Sequence, residues 1–339
     1  MKLQKLLMVA YVGLVLTSSA SAQEPFYKGK TLRLVVGFSP GGGFDVYSRS
    51  IARYIGRHIS GEPAVIVENM TGAGSLIAAN HIYKVAKPDG LNVGNINGGL
   101  FMQQLLGWPG IEFDALKFKL VGIPVKDKAV CVMTKASGIA SLEKWAASKT
   151  PQKVGATGPG SATHNVPLIL KEALGLPIQL VSGYKGIADV RLAAEGGELA
   201  GVCGWTWDSL KATWGKALDS GEAIVVLQTV AQPITELPNI PLAINLAKTE
   251  EARQLIQAGI HDVSDLTYSY VLPPGTPNDR VEILRKAFAD TMKDPEFLAD
   301  TTKSRLGIDP MNAEETEKTL TRLFKLAPRV VAKLKEVLK

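Results

Sequence analysis

Three times in its first hundred residues the chain repeats one pattern: a short apolar run, a glycine-rich loop, then apolar residues at helical spacing. Leu32 to Val36 reads as a strand, residues 37–45 as a loop, and Tyr47, Ile51, Tyr54, Ile55 and Ile59 as one face of a helix. Ala64 to Val67, the loop 69–74 and a helix opened by Ser75 and carried by Leu76, Ala79, Ile82, Tyr83 and Ala86 form the second unit, closed by Pro88-Asp89-Gly90. Asn92 to Ile96 with Asn97-Gly98-Gly99 begins a third. Asp45 suits an N-cap and Gly61 a helix stop. Strands that alternate with helices in this way are parallel and covered on both faces, which restricts the chain to an α/β architecture.

The pattern restarts near Gly122, with strands expected at Ala129 to Thr134, Val154 to Ala156, Ile178 to Val181, Ala200 to Cys203 and Ile224 to Leu227. After Pro233 it changes once more. Thr267 to Leu272 is a last strand, Pro273-Pro274-Gly275-Thr276-Pro277 a hard turn, and the remainder helical. A length of 339 residues fits two domains of this kind. One α/β half, then another, then a lone strand with helices predicts two lobes joined by a double crossover, with the tail rejoining the first.

Residues 1–22 stand apart. Lys2 and Lys5 precede a mostly apolar run from Leu6 to Thr17, and Ala20-Ser21-Ala22 is a small-residue cleavage site, so the segment reads as a signal peptide for export of a soluble protein. Its removal leaves 36 basic against 32 acidic residues, and the bases are scattered, unlike the patches of nucleic-acid binders. A small positive excess favours encounter with anions. Two cysteines, Cys131 and Cys203, exclude a disulfide-dense scaffold and the usual zinc frameworks, so no metal is expected. Both lie in apolar runs, and the sequence leaves open whether they pair or stay as buried thiols.

Reactive motifs fail on their chemistry. Gly37-Phe38-Ser39-Pro40-Gly41 matches a nucleophile elbow, but Pro40 lacks the N–H that such an elbow gives to the oxyanion. A dinucleotide fingerprint would need glycine at Val46 or Ile77, and no Gly-Lys-[Ser/Thr] loop exists, so no cofactor is expected. His58, His81, His164 and His261 are dispersed. What remains is a set of glycine- and hydroxyl-rich loops at strand ends: 37–45, 69–75, 97–99 and 155–163. Ligands of open α/β sheets bind at that edge, where exposed N–H groups and helix dipoles favour an anion.

Seven stretches in order resemble one family, the tripartite tricarboxylate transporter substrate-binding proteins, also called Bug proteins. They are Phe38-Ser39-Pro40-Gly41-Gly42-Gly43-Phe44-Asp45 with Arg49, Val67-Glu68-Asn69-Met70-Thr71-Gly72-Ala73-Gly74, Pro88-Asp89-Gly90, Gly158-Pro159-Gly160-Ser161, Gly183-Tyr184-Lys185-Gly186, Gly196-Gly197-Glu198 and Pro274-Gly275-Thr276-Pro277. The resemblance implies a two-lobed periplasmic binding-protein fold, type II-like, with lobe 1 from residues 23–124 and 231–339 and lobe 2 from 125–230. It implies a monomer that closes on a small carboxylate and passes it to an inner-membrane permease, with no chemical step. Carried over, Phe38, Ser39, Gly41, Gly42 and Asp45 line lobe 1 with Asn97 nearby, Ser161, Ala162 and Thr163 close from lobe 2, and Tyr184, Trp205 and Asp208 face the cleft.

The chain departs from the family at Gly37 and Gly43, where many members carry proline or a larger apolar residue, and at Trp205-Thr206-Trp207-Asp208. A tryptophan there suits either stacking on a ligand or packing, and Asp208 either a ligand contact or an N-cap. A secreted hydrolase using Ser39, and a sensing module that serves a kinase, are the competing readings.

Overall fold

A computed structural model describes residues 24–338; the expected signal peptide lies outside them. The strands are β1 (Thr31–Val36), β2 (Ala64–Asn69), β3 (Asn92–Asn97), β4 (Lys119–Ile123), β5 (Ala129–Thr134), β6 (Gln152–Ala156), β7 (Ile178–Ser182), β8 (Gly201–Thr206), β9 (Ala223–Gln228), β10 (Tyr268–Leu272) and β11 (Met311–Asn312). They form two sheets, one ordered β11-β4-β10-β3-β1-β2 and the other β7-β6-β8-β5-β9. The fold is the two-lobed α/β architecture that the sequence pattern predicts.

Each sheet is built around a parallel trio, β2-β1-β3 and β7-β6-β8. Each also takes in one antiparallel strand from a crossing segment. The chain leaves the first sheet at β4 and enters the second as β5, antiparallel to β8 and β9. It returns as β10, antiparallel to β3 and β4. Period-two alternation divides the apolar residues of these strands between faces. In β1, Leu32 and Leu34 pack with Ile51, Ile55, Phe288 and Phe297, while Val35 faces a core shared with Tyr47 and Ile96. In β5, Val130 and Val132 pack with Trp205 and Leu210, whereas Cys131 and Met133 face that larger shared core.

Several local expectations are corrected. The first helix is Gly43–Ile55 with Gly42 as N-cap, which places Asp45 inside its first turn. A single 3-10 turn, Gly56–His58, ends that helix before Gly61. Ser75 precedes the helix Leu76–Lys84, but its hydroxyl accepts from Asn97 N–H instead of capping. The helix after β8 is Trp207–Ser220 with Thr206 at the cap, so Asp208 is its second residue. Strands β4 and β11 are additions, the first inside the region where the pattern restarts and the second within the stretch expected to be wholly helical. Cys131 and Cys203, register partners on β5 and β8, form a disulfide.

Candidate functional site

Where the two sheets meet, the loops at their facing edges enclose a small cavity of about 50 Å³. From the six-stranded side come Phe38, Gly42, Gly43 and Phe44 after β1, Asn97 at the end of β3, and Thr267 and Tyr268 at the start of β10. From the five-stranded side come Thr157, Ser161, Ala162 and Thr163 after β6, Ile187, and Gly204, Trp205, Thr206 and Ser209 around the end of β8. None of these side chains is charged.

Four helices begin at this cavity: Gly43–Ile55, Ala162–Leu174, Ile187–Glu195 and Trp207–Ser220. Only the second is capped by a side chain, Ser161 accepting from His164 N–H. Gly42, Gly186 and Thr206, at the other three N-caps, supply no such acceptor. Three first turns therefore keep free N–H groups beside the cavity, and each helix adds roughly half a positive charge at its start.

Hydroxyls complete the donor set. Ser161 Oγ donates to Gly158 O at 2.7 Å, and Thr163 Oγ1 accepts from Thr157 N–H at 3.2 Å. Thr163 Oγ1 also lies 3.0 Å from Ser161 Oγ and 3.2 Å from Thr157 Oγ1. The Ser161 hydrogen is thus engaged, and those of Thr157 and Thr163 are the ones that can turn to a ligand. Asn97 Nδ2 reaches Gly160 O at 2.7 Å, linking β3 to the loop after β6.

Of the residues expected at the site, Phe38, Gly42, Asn97, Ser161, Ala162, Thr163 and Trp205 are brought together on the cavity wall. Ser39, Gly41, Asp45, Tyr184 and Asp208 are not. Ser39 Oγ donates to Asp189 at 2.8 Å, outside the cavity but across the same interface. Asp45 holds the loop after β1: its carboxylate accepts from Gly41 N–H at 2.9 Å, from Asn69 Nδ2 at 3.0 Å and from Arg49 Nε at 2.9 Å. Burial pushes the Asp45 carboxyl up, but Arg49, the Gly41 N–H and Asn69 together hold it below its ordinary value. Tyr184 donates to Glu198. Asp208 pairs with Lys211 at 3.1 Å and faces a different, more polar groove.

Ile187, Ser209, Thr267 and Tyr268 are the wall residues that sequence reasoning least anticipates. The strand-end rule looks to the carboxyl ends of parallel strands, whereas β10 is antiparallel and brings its first residue, Tyr268, to the cleft opposite Asn97. Among the described residues no cluster of three metal-ligating side chains occurs, and no helix is long and apolar enough to cross a membrane.

Two lobes, a cleft between them, and uncapped helix termini with hydroxyl donors facing inward define a ligand-binding protein of the two-lobed class. Residues 49–335 match the model of the tripartite tricarboxylate transporter family receptor, TctC. The chain belongs to that family, the one its loop motifs resemble. It is 24% identical over 320 residues to the UPF0065 protein in the gbd 5' region of Cupriavidus necator, covering 93% of this chain and 90% of that one. Its fold is similar to that of the periplasmic binding protein BugD, at a TM-score of 0.72 and 21% identity over 92% of this chain and 98% of that one. It is likewise similar to MatC from Rhodopseudomonas palustris with bound malate, at a TM-score of 0.71 and 20% identity over 92% and 99% of the two chains.

Proposed function

We propose that the protein is a periplasmic solute-binding receptor that captures a small carboxylate between its lobes and delivers it to an inner-membrane tripartite tricarboxylate transporter permease. The observation that carries this reading is the convergence of four helix N-termini, three without a side-chain cap, on a cavity lined by no charged side chain. An anion satisfies those donors, and a cation would be opposed by them. Lys and Arg are dispensable for a carboxylate when backbone N–H groups and hydroxyls surround it. Capture by closure follows from the site's construction, because donors from both lobes contact the ligand together only in the closed form. The malate held by MatC supports the ligand class.

The test is a thermal-shift and calorimetric screen of mature protein, unfolded and refolded to strip carried ligand, against carboxylates and their neutral amides. Ligand at 100 times its Kd adds about 2.7 kcal/mol of stability. Stabilisation by acids and not by amides is the expected result. Silence across the acids, with covalent labelling of Ser39 by a serine-directed phosphonate, would replace the reading with the hydrolase.

A further inference from the structure

The cavity walls also constrain the rest of the ligand. Phe38, Phe44 and Tyr268 form one aromatic wall, with ring centroids 4.4 Å apart for Phe38 and Phe44 and 4.5 Å for Phe44 and Tyr268. Ile187 and Trp205 line the cavity from the five-stranded side, the latter stacked on Trp214 at 5.5 Å and so fixed in orientation. Aromatic rings, an indole and an isoleucine contributed from both sides make a lining suited to an apolar group.

Several side-chain donors of the wall are turned to protein acceptors. Tyr268 OH donates to Thr206 Oγ1 at 3.1 Å, Trp205 Nε1 to Ser209 Oγ at 3.2 Å, and Thr267 Oγ1 to Asp127 at 2.8 Å. Negative charge is moreover already near that end. Burial pushes the Tyr268 phenol up, and the Asp127 and Asp208 carboxylates oppose its ionisation further. Any second anion placed there meets the same opposition, with no cationic side chain on the wall to offset it.

We infer that, granted the carboxylate-binding reading, the ligand is a carboxylate bearing a ring: its carboxylate lies at the Thr157 and Thr163 hydroxyls beside the start of helix Ala162–Leu174, and its ring lies between Phe44 and Trp205. This separates the chain from a receptor for compact di- or tricarboxylates.

Calorimetry of the stripped mature protein with benzoate, phenylacetate, acetate, succinate and citrate tests it. Benzoate or phenylacetate is expected to bind at least tenfold more tightly than succinate and citrate. Phe44→Leu should weaken the ring acids severalfold. Succinate or citrate binding as tightly as the ring acids overturns the inference and leaves the carboxylate receptor standing. Binding of none of the acids overturns both. The comparison on the unaltered protein decides the matter even if the variant does not fold.

Discussion

Thr267 gives its hydroxyl hydrogen to Asp127 over 2.8 Å, joining two segments 140 residues apart in the chain. Asp127 lies just before β5 and Thr267 just before β10, so the bond ties together the two segments that cross between the sheets. Asp127 is buried, and its other oxygen, Oδ1, has no hydrogen-bond partner. Burial raises this carboxyl from 3.8 to about 6, hydrogen bonds from Thr206 and Thr267 pull it down, and Asp265 and Asp208 push it up.

A pH dependence of definite sign follows. Between 3.8 and about 6 the folded protein holds the Asp127 proton and the unfolded chain has released it. This contribution is therefore largest below that window and is lost as pH rises through it, by about 3 kcal/mol at about 1.4 kcal/mol for each tenfold change. Asp127→Asn keeps the acceptor for Thr267 and removes the titration. Urea unfolding from pH 4 to 8 should show the variant gaining on the unaltered protein as pH rises; parallel profiles would remove Asp127 as the source.

Gly43 keeps open the space where the two lobes face each other. It opens the helix Gly43–Ile55, where alanine is conformationally acceptable. A Cβ there would strike Ser209 Oγ and stand 2.6 Å from Tyr268 OH. Gly43→Ala should weaken ligand binding at least tenfold by calorimetry, since its Cβ meets Ser209 and the buried Tyr268 where the lobes face each other. Undiminished affinity would mean that the lobes do not close on this surface.

The same residue marks the limit of what sequence makes legible. Glycine runs announce a loop near backbone, and that much of the site is visible from Phe38 to Phe44 and from Gly158 to Thr163. Whether a loop residue faces ligand or holds the loop is decided by partners distant in sequence. Asp45 turns back to Gly41, Arg49 and Asn69, and Ser39 turns across to Asp189. The α/β order and nine of the eleven strands follow from local periodicity, but β11 is two residues long and β4 is short and interrupted by Gly122, too little for a period to show. The pairing of Cys131 with Cys203 depends on β5 being inserted beside β8, a topological fact with no local signal.

Hydroxyls that support the site and hydroxyls that face the ligand should separate experimentally. Ser161 caps its helix and donates to Gly158, so Ser161→Ala should cost about 1 kcal/mol of stability by urea unfolding, with a smaller effect on binding. Thr163→Val keeps the shape and removes the hydroxyl. If a desolvated carboxylate rests on it, affinity falls by roughly 1 to 3 kcal/mol. Unchanged affinity in calorimetry would take Thr163 out of the site.

The disulfide joins two buried residues separated by 72 positions, and both cysteines pack in the shared core. Closing a loop of that length restricts the unfolded chain by about 4 kcal/mol in the chain-entropy account. Replacing both cysteines by alanine should therefore lower the unfolding midpoint by several degrees, and a reducing agent should lower that of the unaltered protein but not of the variant. Identical midpoints for all samples would show that the unfolded state gains nothing from the link.

Ser39 is where the competing functional readings part. Its hydroxyl donates to Asp189, its N–H donates to Lys185 O at 3.3 Å, and a Cβ on Gly186 would collide with it, so the two loops fit only as a glycine against a serine. These contacts join the loop after β1 to the start of the helix Ile187–Glu195, so opening of the lobes would break them. Removing a part-buried hydrogen bond to a carboxylate costs about 1.5 to 3 kcal/mol. That loss falls on the closed state alone. Ser39→Ala should thus weaken ligand affinity about tenfold or more, mainly through faster dissociation in stopped-flow measurements, with the association rate and ligand-free stability nearly unchanged. If Ser39 were a nucleophile, the substitution would instead abolish turnover of ester substrates by the unaltered protein and leave ligand dissociation as it was.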